Sequence, residues 1–317
     1  MIYLGYSGPD DRDVNKGQPV SYLENPVWVE PGKLYTTTVT YLDGQYFSGI
    51  FEVNFESNSF EYQSYSTFNF PHCIGSLRLD SQNDRLLITY SADGAQKAAR
   101  IILSDERTII DEELVGENWS PQSIASWPGK EGIIFYGTNP ETGISGFYWR
   151  YADSTQAIAD SLLYAINLES STENQFSLSH DGSLMFMGLC SGRGPHAITR
   201  YLKLNLESSD NDPIVIAERK GEFISLSAHP KNRELLLISY FSYEGTSTGG
   251  HIEILNFNTQ ESKDLDVRTH KSLCRFIYNG DFSFSPSGDN FVFSAGAFTG
   301  EGDVYPFELW IYNNVID

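Results

Sequence analysis

Cysteine is scarce in this chain and odd in number: Cys73, Cys190 and Cys274, with no CxxC pair among them. That excludes a disulfide framework and a zinc knuckle, and it favours a reducing compartment. No stretch approaches the ~18 apolar residues of a membrane-crossing helix, so membrane insertion is not expected. Bases are also few, 21 against 42 acids, for a net charge of −21. Such a chain repels phosphate backbones and anionic lipid, so nucleic acid is excluded as a partner, while cations, basic proteins and neutral sugars are easier to accommodate. The acidity also serves solubility by itself. There is no phosphate-cradling glycine loop, no HExxH and no kinase-like set. GTSTG at 245–249 has the G-x-S-x-G form around Ser247. It runs into the strand-like HIEILNFN rather than a helix, so it is not a nucleophile elbow. MIYLGYSGPDD at the start lacks a basic segment and a long apolar core, so it does not read as a signal peptide. The expected location is the cytoplasm, with export after removal of a leader as the alternative.

What the chain does have is a repeat. DFSFSPSGDNFVFS at 281–294 is a short apolar strand, a Ser-Pro-Ser-Gly-Asp turn and a second apolar strand. The pattern recurs at 27–39, 77–91, 123–137, 176–188 and 224–239, centred on Gly32, Asn83, Gly129, Gly182 and Asn232, with the last copy centred on Gly288. The centres are spaced by 51, 46, 53, 50 and 56 residues, and a period near fifty carried by strand pairs points to propeller blades. Gly and Asn at the centres fit a turn that needs positive φ. The second strands (LLITY, IIFY, LMFM, LLLIS, FVFS) are almost unbroken apolar, so both of their faces should be covered. Segments 47–55, 98–104, 146–152, 197–206, 251–258 and 307–314 read as amphipathic third strands, each but the last followed by a weaker fourth. The stretch 153–170 suits either a fourth strand with an elaborated exit or a short helix, and strand is the expectation.

The expected fold is all-β: a single six-bladed β-propeller of four-stranded antiparallel blades. The blades are placed at about 26–66, 74–115, 120–170, 174–217, 222–267 and 281–317. Residues 1–7 should close the ring as the missing edge strand of the last blade, removing an exposed edge. SPSG at 285–288 and SHDG at 179–182 resemble the Ser-Pro-Asp-Gly turn of TolB-type, WD-like propellers; EPGK, SQND, PGKE and HPKN are degenerate copies. The resemblance spans nearly the whole length and implies the fold. That group contains binding modules, enzyme-associated domains and sugar-acid lyases, so it implies no one activity.

In a propeller, the connections into each first strand and between second and third strands share one face, where ligands can sit on variable loops. The entries to the first strands are Glu24, His72, Gln122, Glu173, Glu222 and Asp281. Four acids converging on one channel mouth can hold a cation, form an acid/base pair, or simply line a hydrated channel. Trp119, Arg193, Tyr243, Phe298 and Tyr305 belong to loops of that face, where aromatic rings beside carboxylates suit sugar stacking or a protein hot spot. Trp28 and Trp127, next to the turns, are expected in the core. The ligand-binding set is therefore Glu24, His72, Trp119, Glu173, Arg193, Glu222, Tyr243 and Asp281. The expected ligand is a protein or a carbohydrate. The alternative is a sugar or sugar-acid lyase or hydrolase using the mouth carboxylates, with a divalent cation. Asp11, Asp13 and Asn15 are spaced like the start of a Ca²⁺ loop, but glycine comes one place late and Tyr22 stands where a glutamate should. An ordinary solvated loop is the other reading. His72 with Cys73, Cys190 with His196, and His270 with Cys274 could ligate a soft metal only if long loops folded inward, since alternate blades are far apart.

Overall fold

The structure is a computed structural model describing residues 2–3, 20–42, 45–57, 59–80, 85–116, 118–151, 154–158, 176–208, 212–243, 249–265, 277–297 and 308–315. Among these there is no α-helix, and the strands number β1 to β24 in chain order. The first hairpin runs β1 (Ile2–Tyr3) aside, from β2 (Val20–Glu30) to β3 (Lys33–Leu42), followed by β4 (Gln45–Phe55) and β5 (Tyr62–Phe70). Then come β6 (Cys73–Asp80), β7 (Arg85–Ala92), β8 (Ala95–Ser104) and β9 (Arg107–Glu113). The third group is β10 (Ser120–Ser126), β11 (Ile133–Thr138), β12 (Ser145–Tyr151) and β13 (Ser154–Ala157). The fourth is β14 (Phe176–Leu178), β15 (Leu184–Ser191), β16 (Ile198–Asn205) and β17 (Ile214–Lys220). The fifth is β18 (Glu222–Ala228), β19 (Leu235–Ser242), β20 (Gly249–Asn256) and β21 (Glu261–Asp264). The chain ends in β22 (Ile277–Phe284), β23 (Asn290–Ala297) and β24 (Glu308–Asn313).

Consecutive strands pair antiparallel. The third, fourth and fifth groups are four-stranded sheets, and β22, β23 and β24 form a fourth sheet with β1. There Ile2 pairs with Ile311 and Tyr3 with Trp310, so the N-terminal strand covers the C-terminal sheet edge. The first two groups form one eight-stranded sheet. Their junction is a single parallel pairing, Asn69 with Arg107, reinforced by the Thr108 hydroxyl donating to the Phe68 carbonyl at 3.3 Å. On either side of it lie four antiparallel strands.

First strands pack against first strands in chain order, from β2 through β6, β10, β14 and β18 to β22, and β22 packs back on β2. The chain of contacts thus closes on itself, and this is the architecture of a β-propeller. The physical cause is visible in the burial gradient. β15 (LMFMGLCS) is buried at all but its last residue, and β7 and β11 are nearly so. The fourth strands β9, β13 and β21 are almost wholly exposed. A strand apolar on both sides needs a cover on each face, and the neighbouring sheets supply it. Each inter-sheet gap holds one apolar cluster. Trp127, Ile134 and Phe147 meet Phe176, Met185 and Met187 in one, while Leu237 and Ile252 meet Phe282, Phe293 and Trp310 in another.

The turns between first and second strands show where the repeat holds and where it does not. Gly32, Gly129, Gly182 and Gly288 all have φ between +70° and +85°. At Gly182 a side chain would also overlap the Pro128 carbonyl, because the turn packs on the preceding sheet. Trp127, buried as expected, donates Nε1–H to the Gly182 carbonyl at 2.9 Å across that same gap. Asn232 departs from the expectation: its φ is not positive. The HPKN turn is longer, and the His229 Nδ1 accepts the Lys231 and Asn232 amides (3.1 and 2.9 Å) while Asn232 Oδ1 accepts the Glu234 amide. Side-chain acceptors there replace a left-handed residue. Asn83 lies outside the described residues. In the ambiguous stretch 153–170, β13 is a strand on β12, and 159–170 lies outside the described residues.

Candidate functional site

The loop face is built from the starts of first strands and the ends of second strands. β17 turns into β18 through Gly221 at φ +145°, where a Cβ would overlap the Phe241 carbonyl. Only glycine allows so close a crossover. Its carbonyl is fixed by the Thr199 hydroxyl at 2.8 Å. The next residue, Glu222, therefore emerges at the rim in a fixed place. From the neighbouring sheet, β15 runs out through Gly192 (φ +82°) into a 3-10 turn, Gly194–His196, capped by the exposed Arg193.

Glu222 holds the two loops together. Its Oε1 accepts the Gly194 amide at 2.7 Å and its Oε2 accepts the Tyr243 hydroxyl at 2.9 Å. The Tyr243 ring in turn stands edge-on to Phe241, centroids 4.8 Å apart. Three residues of the expected set, Arg193, Glu222 and Tyr243, are thus brought into one neighbourhood from two sheets. A carboxylate offers about four acceptor positions, and among the described residues each Glu222 oxygen uses one of its two. Glu222 is a polar anchor beside an aromatic pair, and the Gly194 amide it holds follows the exposed Arg193 in the chain. Among the described residues, its hydrogen-bond partners are a peptide N–H and a phenol, not a second carboxylate.

The other expected residues are placed differently. The Glu24 carbonyl accepts the hydroxyls of Thr36 and Thr37 (2.7 and 2.9 Å). His72 stacks on Tyr90 at 5.6 Å and meets the edge of Phe70 at 5.4 Å, in the gap between the first two groups of strands. Trp119 is packed edge-on against Phe135 (5.3 Å) and Tyr148 (4.7 Å), as loop packing rather than an open platform. Asp281 sits in a bulged stretch of β22, between Asn279 and Phe282. Asp11, Asp13, Asn15, Glu173, Ser247, His270, Cys274, Phe298 and Tyr305 have side chains outside the described residues. Among the described residues, no three His, Cys, Asp or Glu are grouped to hold a metal. Cys190 is buried, with its Sγ 4.0 Å from the Gly221 carbonyl, and Cys73 is exposed.

Sequence reasoning missed two features. The first is a bulge recurring in first strands, at Asn25–Pro26 in β2, Gly75 in β6, Gln122 in β10 and Ile224 in β18. An extra residue re-aims every side chain beyond it, so the entries to the first strands are not equivalent positions. Gly75 and Pro26 were the available signals. The second is a polar cluster bridging the fourth and fifth groups. Arg219 of β17 donates Nη2–H and Nε–H to Glu253 Oε2 of β20 at 2.7 and 3.0 Å, and Tyr240 donates to Glu253 Oε1 at 2.7 Å. Burial by itself would raise the Glu253 pKa, but the bonds from Arg219 and Tyr240 outweigh it and hold the carboxyl below its ordinary value. No local pattern announces this pair, because its partners lie 34 residues apart. In the SHDG turn, the hydroxyl of Ser179, followed by the amide and hydroxyl of Ser183, holds Asp181 well below the usual carboxylate range.

The fold and site define a β-propeller carrying a polar-aromatic rim. No family model matches the chain, and no curated protein matches it either. Among solved structures it is similar to a GH74 enzyme of Niastella koreensis (TM-score 0.54, 14% identity, covering 93% of this chain and 45% of that one). It is also similar to a GH74 xyloglucanase of Xanthomonas campestris (TM-score 0.53, 9% identity, 94% and 52% covered). A protein of unknown function from Dyadobacter fermentans matches end to end (TM-score 0.56, 10% identity, 94% and 96% covered). The chain spans about half the length of the two GH74 proteins. At these identities the likeness is one of fold.

Proposed function

We propose that the chain is a single-domain, six-bladed propeller of the TolB-like kind, and that its loop face binds a carbohydrate ligand. The observation that carries this reading is Glu222, which ties two loops of adjacent sheets together, one carrying Arg193 and the other Tyr243 beside Phe241. A preorganised carboxylate, a guanidinium and an aromatic pair are what hydroxyl-rich rings need: acceptors and donors for the hydroxyls and a flat apolar surface for the C–H face. The six-bladed count is supported by the unbroken circuit of first strands from β2 to β22 and back. The TolB-like assignment is supported by the hydroxyl-braced turns at Ser179–Gly182 and Ser285–Gly288. A cytoplasmic location is supported by the scarcity and odd number of cysteines, Cys73, Cys190 and Cys274.

The test is a glycan array followed by titration calorimetry on the best ligand, comparing the parent with Glu222→Gln and Tyr243→Phe. Loss of about tenfold or more in Glu222→Gln, at roughly 1.4 kcal/mol per decade, is expected. Equal binding by both variants would reject the loop-face site. Cleavage of an oligosaccharide that disappears in Glu222→Gln would move the reading to a hydrolase or lyase.

A further inference from the structure

In the gap between the first two groups of strands, beside the turn that carries Gly32, lies a cavity of about 280 Å³. Its floor is apolar: Val29, Leu79, Leu86, Ile101 and Leu103, all part of the cluster that fills this gap. Its lip carries charges of both signs. Glu30 and Lys33 come from the first group and Arg85 from the second. Lys33 Nζ lies 3.2 Å from Glu30 Oε1 and 3.7 Å from Glu52 Oε2, and the Tyr35 hydroxyl donates to that same Glu52 oxygen at 2.9 Å. Lys33 is thus a brace that fixes the Glu30 carboxylate at the cavity, while the Glu30 side chain stays 57% exposed. Arg85 faces Asp111, with Nε 3.7 Å from Oδ2, and the two side chains are 41% and 42% exposed. A surface pair of that length contributes little. A ligand carboxylate can therefore share the guanidinium, whose donors form a planar fork.

We propose that this cavity binds a free α-amino acid with an apolar side chain. The zwitterion suits a wall of both signs: Glu30 accepts from its ammonium, and the Arg85 guanidinium pairs with its carboxylate. A ligand of single charge meets a like charge there, an anion at Glu30 and a cation at Lys33 and Arg85. The zwitterion also adds no net charge to a chain at −21. Its side chain covers the apolar floor and is removed from water, which favours association. The volume sits at the small end of ligand sites and suits one amino acid. The site is independent of the loop-face reading, since it shares no residue with it.

The experiment is calorimetric titration of the whole protein with leucine. Leucinamide, which lacks the negative charge, N-acetylleucine, which lacks the positive one, and glycine, which lacks the side chain, are the comparisons. Leucine should bind, and each of the three should be about tenfold weaker or worse. Arg85→Gln and Glu30→Gln should each lower leucine affinity about tenfold or more; both side chains are exposed, so neither change threatens folding. Lys97→Gln makes the same change in net charge as Arg85→Gln at a residue outside the cavity lining, and should leave the affinity unaltered. The proposal is overturned by no leucine binding at about 10 mM, by any of the three comparison compounds binding as well as leucine, by unchanged affinity in either cavity variant, or by an equal loss in Lys97→Gln.

Discussion

Glu253→Gln removes the charge at the centre of the polar bridge between β17 and β20 and leaves the shape. The Glu253 side chain is 8% exposed and that of Arg219 22%, so the variant strands a largely desolvated guanidinium. Breaking a buried pair on one side costs about 3–5 kcal/mol, and the residual exposure of Arg219 places this case near 3. With an unfolding entropy of ~2.1 cal/mol/K per residue over 317 residues, that loss lowers Tm by about 4–5 °C. Differential scanning calorimetry at pH 7 reads it directly. The pH dependence supplies a second reading. The folded carboxyl titrates below its ordinary value of 4.5. Its contribution is therefore complete above that value and is lost as the pH falls through the lower folded pKa. The gap in Tm between parent and variant should be constant near neutrality and close on acidification. Replacing both partners, as Arg219→Met with Glu253→Met, should recover most of the loss, because no charge is then left unpaired. A single variant melting within about 1 °C of the parent, or a gap that ignores pH, would refute the reasoning.

Gly182→Ala should cost about 2 kcal/mol or more, from positive φ plus overlap with the Pro128 carbonyl, whereas Gly143→Ala, at the same φ but in open space, should cost only about 1; urea unfolding separates the two. Trp127→Phe deletes the buried hydrogen bond to the Gly182 carbonyl and should lower stability by about 1–3 kcal/mol, measured in the same way. Deleting residues 1–3 uncovers the edge of β24, so light scattering on warming should show earlier aggregation than in the parent, with little change in strand content by circular dichroism.

The strand pairs, their turns and the order of exposure within each sheet were legible in the order of residues alone. These follow from local rules: Gly182 and Gly288 mark positive φ, and LMFM or IIFY cannot lie on a wetted surface. The closing strand was legible for a related reason, since the last sheet was one strand short and MIYLGYS had no partner of its own. Which side chains share a place emerged only from the folded arrangement of the sheets. Glu222, Tyr243 and the Gly194 amide come from two sheets, Arg219 and Glu253 from two, and the wall of the cavity beside Gly32 from two groups of strands. A bulge of one residue moves a side chain to the other face of its strand, as at Gln122 and Ile224, and no periodicity records it. Local conformation is set by neighbours in the chain, whereas a site is set by the packing and register of strands tens to hundreds of residues apart.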